Sequence, residues 1–180
     1  SFNPYISILL NISKDHLDRY KNFNEYIEQK ENIIKANKNG FNIICIDDPV
    51  TSKIYKKYLN KVIPISKYNL SNGIYFENGC IVDEYFTPKN SIPLDNISPS
   101  LFGVFNIENI LSAYVVTKIL KIDNKKFLNV VKNFVGLPHR LEIIYKKQNF
   151  QIINNSKATN IDATIKSITN YKNIYLILGG

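Results

Sequence analysis

Phe41-Asn42-Ile43-Ile44-Cys45-Ile46-Asp47-Asp48-Pro49 is a short apolar run closed by two carboxylates and a proline. Isoleucines bounded by turn formers predict a buried strand. A basic helix is expected to follow, to about Leu59. Upstream, Tyr5 to Asn11 alternates and then turns apolar through Ile6, Ile8, Leu9 and Leu10, which predicts another buried strand. Asp15 offers an N-cap or turn side chain before a helical run from about Asn24 to Ala36, and Asn37-Lys38-Asn39-Gly40 ends that run. Strand, helix, strand and helix in this order argue for a parallel α/β layer.

Downstream the pattern changes. Gly73–Phe76 and Cys80–Asp83 flank Glu77-Asn78-Gly79, a hairpin signal through its Asn-Gly pair. Phe86 to Ser100 carries Pro88, Pro93 and Pro99 and reads as an irregular connector. Helices are expected at Asn106 to Leu120 and Asp123 to Asn133. Gly136-Leu137-Pro138 must turn, which puts a domain boundary there, with parts 1–137 and 138–180. Beyond it, Leu141–Tyr145 and Phe150–Ile153 predict a second hairpin. A helix from Asp162 to Asn170 and a strand from Ile174 to Leu178 then open a second α/β unit.

The 180 residues are 44% hydrophobic, enough for a packed core, and carry a net charge of +8. Such a charge suits nucleic acid, an anionic membrane surface or polyanionic substrates. The lysines are scattered, however, and the abundance of Lys, Asn, Ile and Tyr is that of A/T-rich coding, so no nucleic-acid partner is expected. Cys45 and Cys80 lie in expected strands without a C-x-x-C partner and read as buried free thiols of a reducing compartment. No apolar run approaches the roughly 20 residues that span a bilayer, and no membrane partner is expected. A chain that starts at Ser1, lacks methionine and stops on Gly179-Gly180 after an apolar run is expected to be a piece of a longer protein.

Several polar clusters could carry chemistry. Asp15-His16 follows a buried strand, at the edge where open α/β sheets place ligands; it could equally be a helix cap beside a half-buried histidine. Lys30 lies on the next helix, where a solvated lysine is the plain reading. Asn106 and Asn109, three residues apart, share a helix face and can both donate and accept, although Asn106 could simply cap the helix. Gly136-Leu137-Pro138-His139-Arg140-Leu141-Glu142 and Asn154-Asn155-Ser156-Lys157-Ala158-Thr159-Asn160 are polar, turn-forming runs between apolar stretches. Loops of this composition offer amides, hydroxyls and cations to a charged ligand. Arg140 could also pair only with Glu142.

These runs, with Asp15-His16-Leu17-Asp18-Arg19, resemble the Mur ligase family of peptidoglycan enzymes over nearly the whole chain. The resemblance implies an α/β fold: the second half of a central ATPase domain, with a parallel sheet, helices and a small hairpin region, then the start of a Rossmann-like C-terminal domain. It implies ATP and Mg²⁺ as cofactors and a cytoplasmic monomer. It also implies a reaction in which the carboxylate of UDP-MurNAc-L-alanine is activated as an acyl phosphate and attacked by the amine of D-glutamate. The positions that match are His16 and a carbamylated Lys30 for Mg²⁺ and catalysis, and Asn106, Asn109, Arg140, Asn155 and Lys157 for the nucleotide. Thr159, with His16, matches the substrate side, while Ser156 and Asn160 shape the loop and cap the next helix. Phe105 stands where the family usually has His, and Asn155 where it has Asp. No G-x-x-x-x-G-K-[ST] phosphate loop occurs; in the family it precedes the matching segment, as does a metal-binding Glu. The departures leave a non-catalytic relic of the ligase, and the charge a basic nucleic-acid-binding module, as alternatives.

Overall fold

A computed structural model describes residues 3–14, 17–86, 88–101, 103–169 and 171–179. Strand β1 (Ile6–Leu9), helix α1 (Phe23–Ala36), strand β2 (Phe41–Cys45) and helix α2 (Pro49–Lys57) follow in the expected order. The end of the α1–β2 connection runs against the backbone that enters β1: a Cβ on Gly40 would lie 2.1 Å from the Tyr5 carbonyl oxygen, so only glycine fits. Asn37 closes the same turn, accepting from the Gly40 N–H at 2.7 Å and donating to the Phe41 carbonyl at 2.8 Å. At the next connection the paired aspartates divide. Asp48 caps α2 by accepting from Val50 and Thr51, each at 3.0 Å, with Pro49 in the first helical position that suits its fixed φ.

A strand absent from the sequence reading follows, β3 (Ile63–Ser66), and it is buried along its whole length. Pro64 hides it, because proline interrupts the donor ladder of a central strand. Here its carbonyl faces Gly73, and pairing with the next strand starts only at Ile65 opposite Ile74. The donor it lacks therefore falls where that ladder has not begun. Strands β4 (Ile74–Glu77) and β5 (Cys80–Asp83) form the expected hairpin, with positive φ at both Asn78 (49°) and Gly79 (78°). That is the conformation an Asn-Gly hairpin turn requires. β4 runs parallel to β3, so the hairpin extends the main sheet. The expected connector contains one further strand, β6 (Asn90–Pro93), which pairs antiparallel with β5 at the edge, where Pro93 is tolerated. The sheet order is β1-β2-β3-β4-β5-β6, parallel through β4.

Two cores cover its faces. Ile44 of β2 packs with Leu9, Ile12, Tyr26, Ile34 and Ile54, the α1–α2 side. Its neighbours Ile43 and Cys45 point the other way, with Ile63, Ile65, Ile74 and Ile81, against helices α3 (Val104–Ile119) and α4 (Asn124–Asn133). This period-2 split of a buried strand produces a three-layer α/β/α body. Leu111, Tyr114 and Val115 of α3 are fully buried. Each such side chain contributes about 1.5–3 kcal/mol relative to exposure, so α3 is firmly seated.

After α4, strands β7 (Glu142–Lys147) and β8 (Phe150–Asn154) form a separate antiparallel pair, and helix α5 (Ile161–Ile168) follows. The strand expected at Ile174–Leu178 is not formed; those side chains are exposed, Ile177 at 95%. A strand needs a hydrogen-bonding neighbour, and none pairs with this segment among the described residues. Cys80 also departs from expectation: Cys45 is buried, but Cys80, at the hairpin, is only half-buried, and both are free thiols. Among the described residues no helix is long and apolar enough to cross a membrane.

Candidate functional site

The carboxyl end of β1 leads through Asn11 to Lys14 toward Asp15 and His16, both of which lie outside the described residues. Beside it opens a cavity of about 750 Å³ lined by Asn11, Ser13, Tyr26, Gln29 and Lys30, among others. Helix α1 presents Lys30 there. Asn22 caps the helix, accepting from Glu25 N–H at 3.0 Å, while the Glu25 carboxylate reaches back to Lys21 N–H at 2.6 Å. This reciprocal cap fixes the first turn. Tyr26, Glu31 and Ile34 are buried, and Lys30, one turn beyond Tyr26, holds its ammonium 5.3 Å from the Tyr26 ring centre. The adjacent Glu31 is committed elsewhere. It is only 3% exposed and accepts from Tyr58 Oη at 2.7 Å and Lys57 Nζ at 2.9 Å, with Lys35 at 3.6 Å. Burial pushes its carboxyl up, but the Tyr58 and Lys57 hydrogen bonds and the two lysine charges outweigh that and hold it below its ordinary value.

A second cluster sits at the carboxyl ends of β2 and β3, facing the start of α3. Gly103 begins that helix at φ 114° with no capping side chain. Asn109 donates to Asn106 Oδ1 at 3.1 Å, so the two carboxamides share a face as their spacing predicts. Glu108, between them in sequence, accepts from Lys67 Nζ at 2.7 Å. Lys67 also lies 4.0 Å from Asp47, whose carboxylate accepts from Ser66 Oγ at 2.6 Å and from Lys67 N–H at 2.8 Å. Burial pulls the Lys67 ammonium down, but Glu108 and Asp47 more than compensate and keep it charged. Burial drives the Cys45 thiol up to about 12. Ligand atoms of Cys45, Asp47 and Glu108 lie within 4.8 Å of one another, and the Lys67 ammonium supplies the positive charge among them.

The sequence reading did not single out this network, because its members are isolated charges 20 and 41 residues apart. The usable signal was Asp47 directly after a buried strand, at the sheet edge where ligands gather.

The two polar runs of the C-terminal part are laced together. Lys157 N–H donates to the His139 carbonyl at 3.1 Å, Leu141 N–H to Asn155 Oδ1 at 3.2 Å, and Asn154 Nδ2 lies 2.8 Å from His139 Nδ1. His139 and Leu141 both have positive φ, 64° and 50°. Such backbone is held only when its surroundings over-determine it, as these cross-links do. Glu142 accepts from His139 N–H at 2.8 Å, so its carboxylate serves the turn and not Arg140. Arg140, Lys157 and Thr159 are exposed. Asn160 caps α5, accepting from Ala163 N–H at 2.8 Å, as expected. The structure thus joins Arg140, Asn155 and Lys157 in one turn pair and sets Asn106 and Asn109 on the first turns of α3. It sets Lys30 at the β1 cavity. His16 and the side chain of Phe105 lie outside the described residues.

Residues 1–117 match the Mur ligase middle domain. A UDP-N-acetylmuramoylalanine--D-glutamate ligase of Geobacter metallireducens is 34% identical over 182 residues, covering 100% of this chain and 40% of that protein. The enzyme of that name from Rickettsia prowazekii is 38% identical over 186 residues, covering 100% of this chain and 41% of its own. Among solved structures, a pseudomurein peptide ligase type C from Methanothermus fervidus superposes with a TM-score of 0.65 at 21% identity, over 92% of this chain and 40% of that one. MurF ligase from Thermotoga maritima, in complex with ADP, gives 0.62 at 18% identity, over 92% and 38%. The chain spans about two fifths of the length of the curated relatives it matches.

Proposed function

The chain belongs to the Mur ligase family, and on that premise we propose that it serves the ATP-dependent ligation of D-glutamate to UDP-MurNAc-L-alanine, in the cytoplasm and as a monomer. The single observation that carries this reading is the lacing of the Arg140 turn to the Lys157 loop through His139, Leu141 and Asn155. It holds two exposed cations on one preordered loop pair, an arrangement suited to the phosphates or ribose of a nucleotide. Identities of 34% and 38% to ligases named for D-glutamate support the choice of amino acid. Residues 1–137 would then belong to the central ATP-binding domain, and 138–180 to the start of the C-terminal one.

Asn106 and Asn109, at the positive end of α3, would meet the adenine edge with donors and acceptors. Arg140 and Lys157 would hold the phosphate and ribose side, and Thr159 the carboxylate of D-glutamate. Mg²⁺, when bound, supplies positive charge against the phosphate oxygens. The described lining of the β1 cavity holds neutral oxygens at Asn11 and Ser13 and no carboxylate, so an anionic ligand for such an ion would have to come from the exposed Lys30. An ammonium repels a cation, so Lys30 would serve only as a carbamate, with His16 as the other ligand.

The test is phosphate release by the intact protein with ATP, Mg²⁺, UDP-MurNAc-L-alanine and D-glutamate. Release should require all of them, and Lys30→Ala should lower it by at least about 100-fold. Release that ignores D-glutamate, or a fully active Lys30→Ala, refutes the reading. A relic that binds but does not turn over nucleotide is the second reading, favoured because the Asn155 oxygen is already taken by Leu141 N–H. ADP binding without phosphate release would select it.

A further inference from the structure

We propose that Lys67, clamped between Asp47 and Glu108, is a positioning residue that sets the nucleotide-facing turn of α3. This rests on the ATP reading above, and reaches residues that reading does not use. Helix α3 starts at Gly103 without a capping side chain, so its first turn lacks the usual local anchor. Beside the core packing of Ile107 and Ile110, a polar tie to the sheet comes from the 2.7 Å bond between Lys67 Nζ and Glu108, one residue before Asn109 and two after Asn106.

The other end of the tie is rigid. Asp47 is held by Ser66 Oγ and by the Lys67 N–H, both at the carboxyl end of the buried strand β3. Lys67, Asp47 and Glu108 side chains are 19%, 7% and 13% exposed, so water competes weakly for these charges. A partly desolvated, hydrogen-bonded pair of this kind fixes geometry better than a surface ion pair does. Glu108 and Asn109 are neighbours on one helix, so any rotation of the turn that breaks the Lys67 bond also re-aims the Asn106–Asn109 carboxamide pair.

The experiment is ADP titration by calorimetry on the intact protein, together with steady-state kinetics. Glu108→Gln keeps the side chain's shape and removes its charge; Lys67→Met removes the tie. Both should weaken ADP binding and raise KM for ATP about tenfold, with kcat and KM for D-glutamate changed less than about twofold. Lys67→Arg, which keeps the cation, should stay within about threefold of wild type. Glu108→Gln with wild-type ADP affinity overturns the proposal, and so does a loss spread evenly over ATP, D-glutamate and kcat. If the wild-type protein itself binds no ADP, the nucleotide reading falls first and this inference with it.

Discussion

Removing the Glu31 carboxylate should loosen the helix that carries Lys30. Glu31→Ala deletes the acceptor for Tyr58 Oη at 2.7 Å and for Lys57 Nζ at 2.9 Å, the links between the middle of α1 and the end of α2. A hydrogen bond to a buried charged group contributes about 1.5–3 kcal/mol. Lys57 and Lys35 are 59% and 48% exposed and regain water when the partner goes, so their pairing adds only about 0.2–1 kcal/mol. The expected loss is about 2–3 kcal/mol, read as a fall in the urea midpoint or a drop of about 5–10 °C in Tm for a domain this size. The pH dependence follows from the carboxyl lying below its ordinary value of 4.5 in the folded protein. A depressed acid stabilises the fold above its unfolded pKa, and that contribution disappears as pH falls through the lower folded value. The gap between wild type and Glu31→Gln should therefore be full at pH 7, start to shrink as the pH nears the ordinary value of 4.5, and close as it falls through the lower folded value. A change under about 0.5 kcal/mol at pH 7, or a gap that widens in acid, refutes this account of the α1–α2 contact.

Tyr114→Phe leaves Asp83, wholly buried and bonded to Tyr114 Oη at 2.8 Å, short of one donor. A loss of about 1–2 kcal/mol in urea unfolding is expected, moderated by the Tyr85 and Phe86 N–H groups that still serve the carboxylate. Asn155→Ala strips Leu141 N–H of its acceptor and should weaken ADP binding about fivefold to tenfold by calorimetry. Asn155→Asp keeps an oxygen there and should bind at least as tightly as wild type. Cys45, 1% exposed with its thiol raised to about 12, should resist alkylation at pH 8, while half-buried Cys80 reacts; mass spectrometry of the labelled chain would show one fast site.

The parts of the fold that could be read from sequence were those governed by local chemistry. Asp47-Asp48-Pro49 announced the turn into α2, Asn78-Gly79 announced a hairpin, and the isoleucines of β2 announced a buried strand, whereas Asn22, and not the expected Asp15, caps α1. Where the partner decides, local signals misled. Pro64 is tolerated in β3 because pairing with β4 starts one residue later, and Pro93 in β6 because β6 is the edge strand among the described residues. Ile174 to Leu178 has the composition of a strand, yet the described chain offers it no edge to join. Composition states what a segment would bury; the sheet determines whether anything is there to bury it against.

The same division runs through the site. Lys30, Asn106, Asn109, Arg140 and Lys157 could be picked out as candidates because short motifs carry them. The residues that hold those motifs in place could not. Glu108 differs little from its helical neighbours until Lys67 arrives from 41 residues away, and Asn155 looks like a weakened ribose contact until its oxygen meets Leu141 N–H. That second contact changes the meaning of the Asp-to-Asn departure. An amide oxygen serves the backbone donor as an acceptor without placing a second negative charge beside Glu142, which already accepts from His139 in the same turn. Asn at 155 thus keeps the turn closed while giving up the carboxylate. On the proposed nucleotide reading, contact with the ribose and the hold on the loop would meet in this one side chain, and variants that separate the two, alanine against aspartate, weigh them.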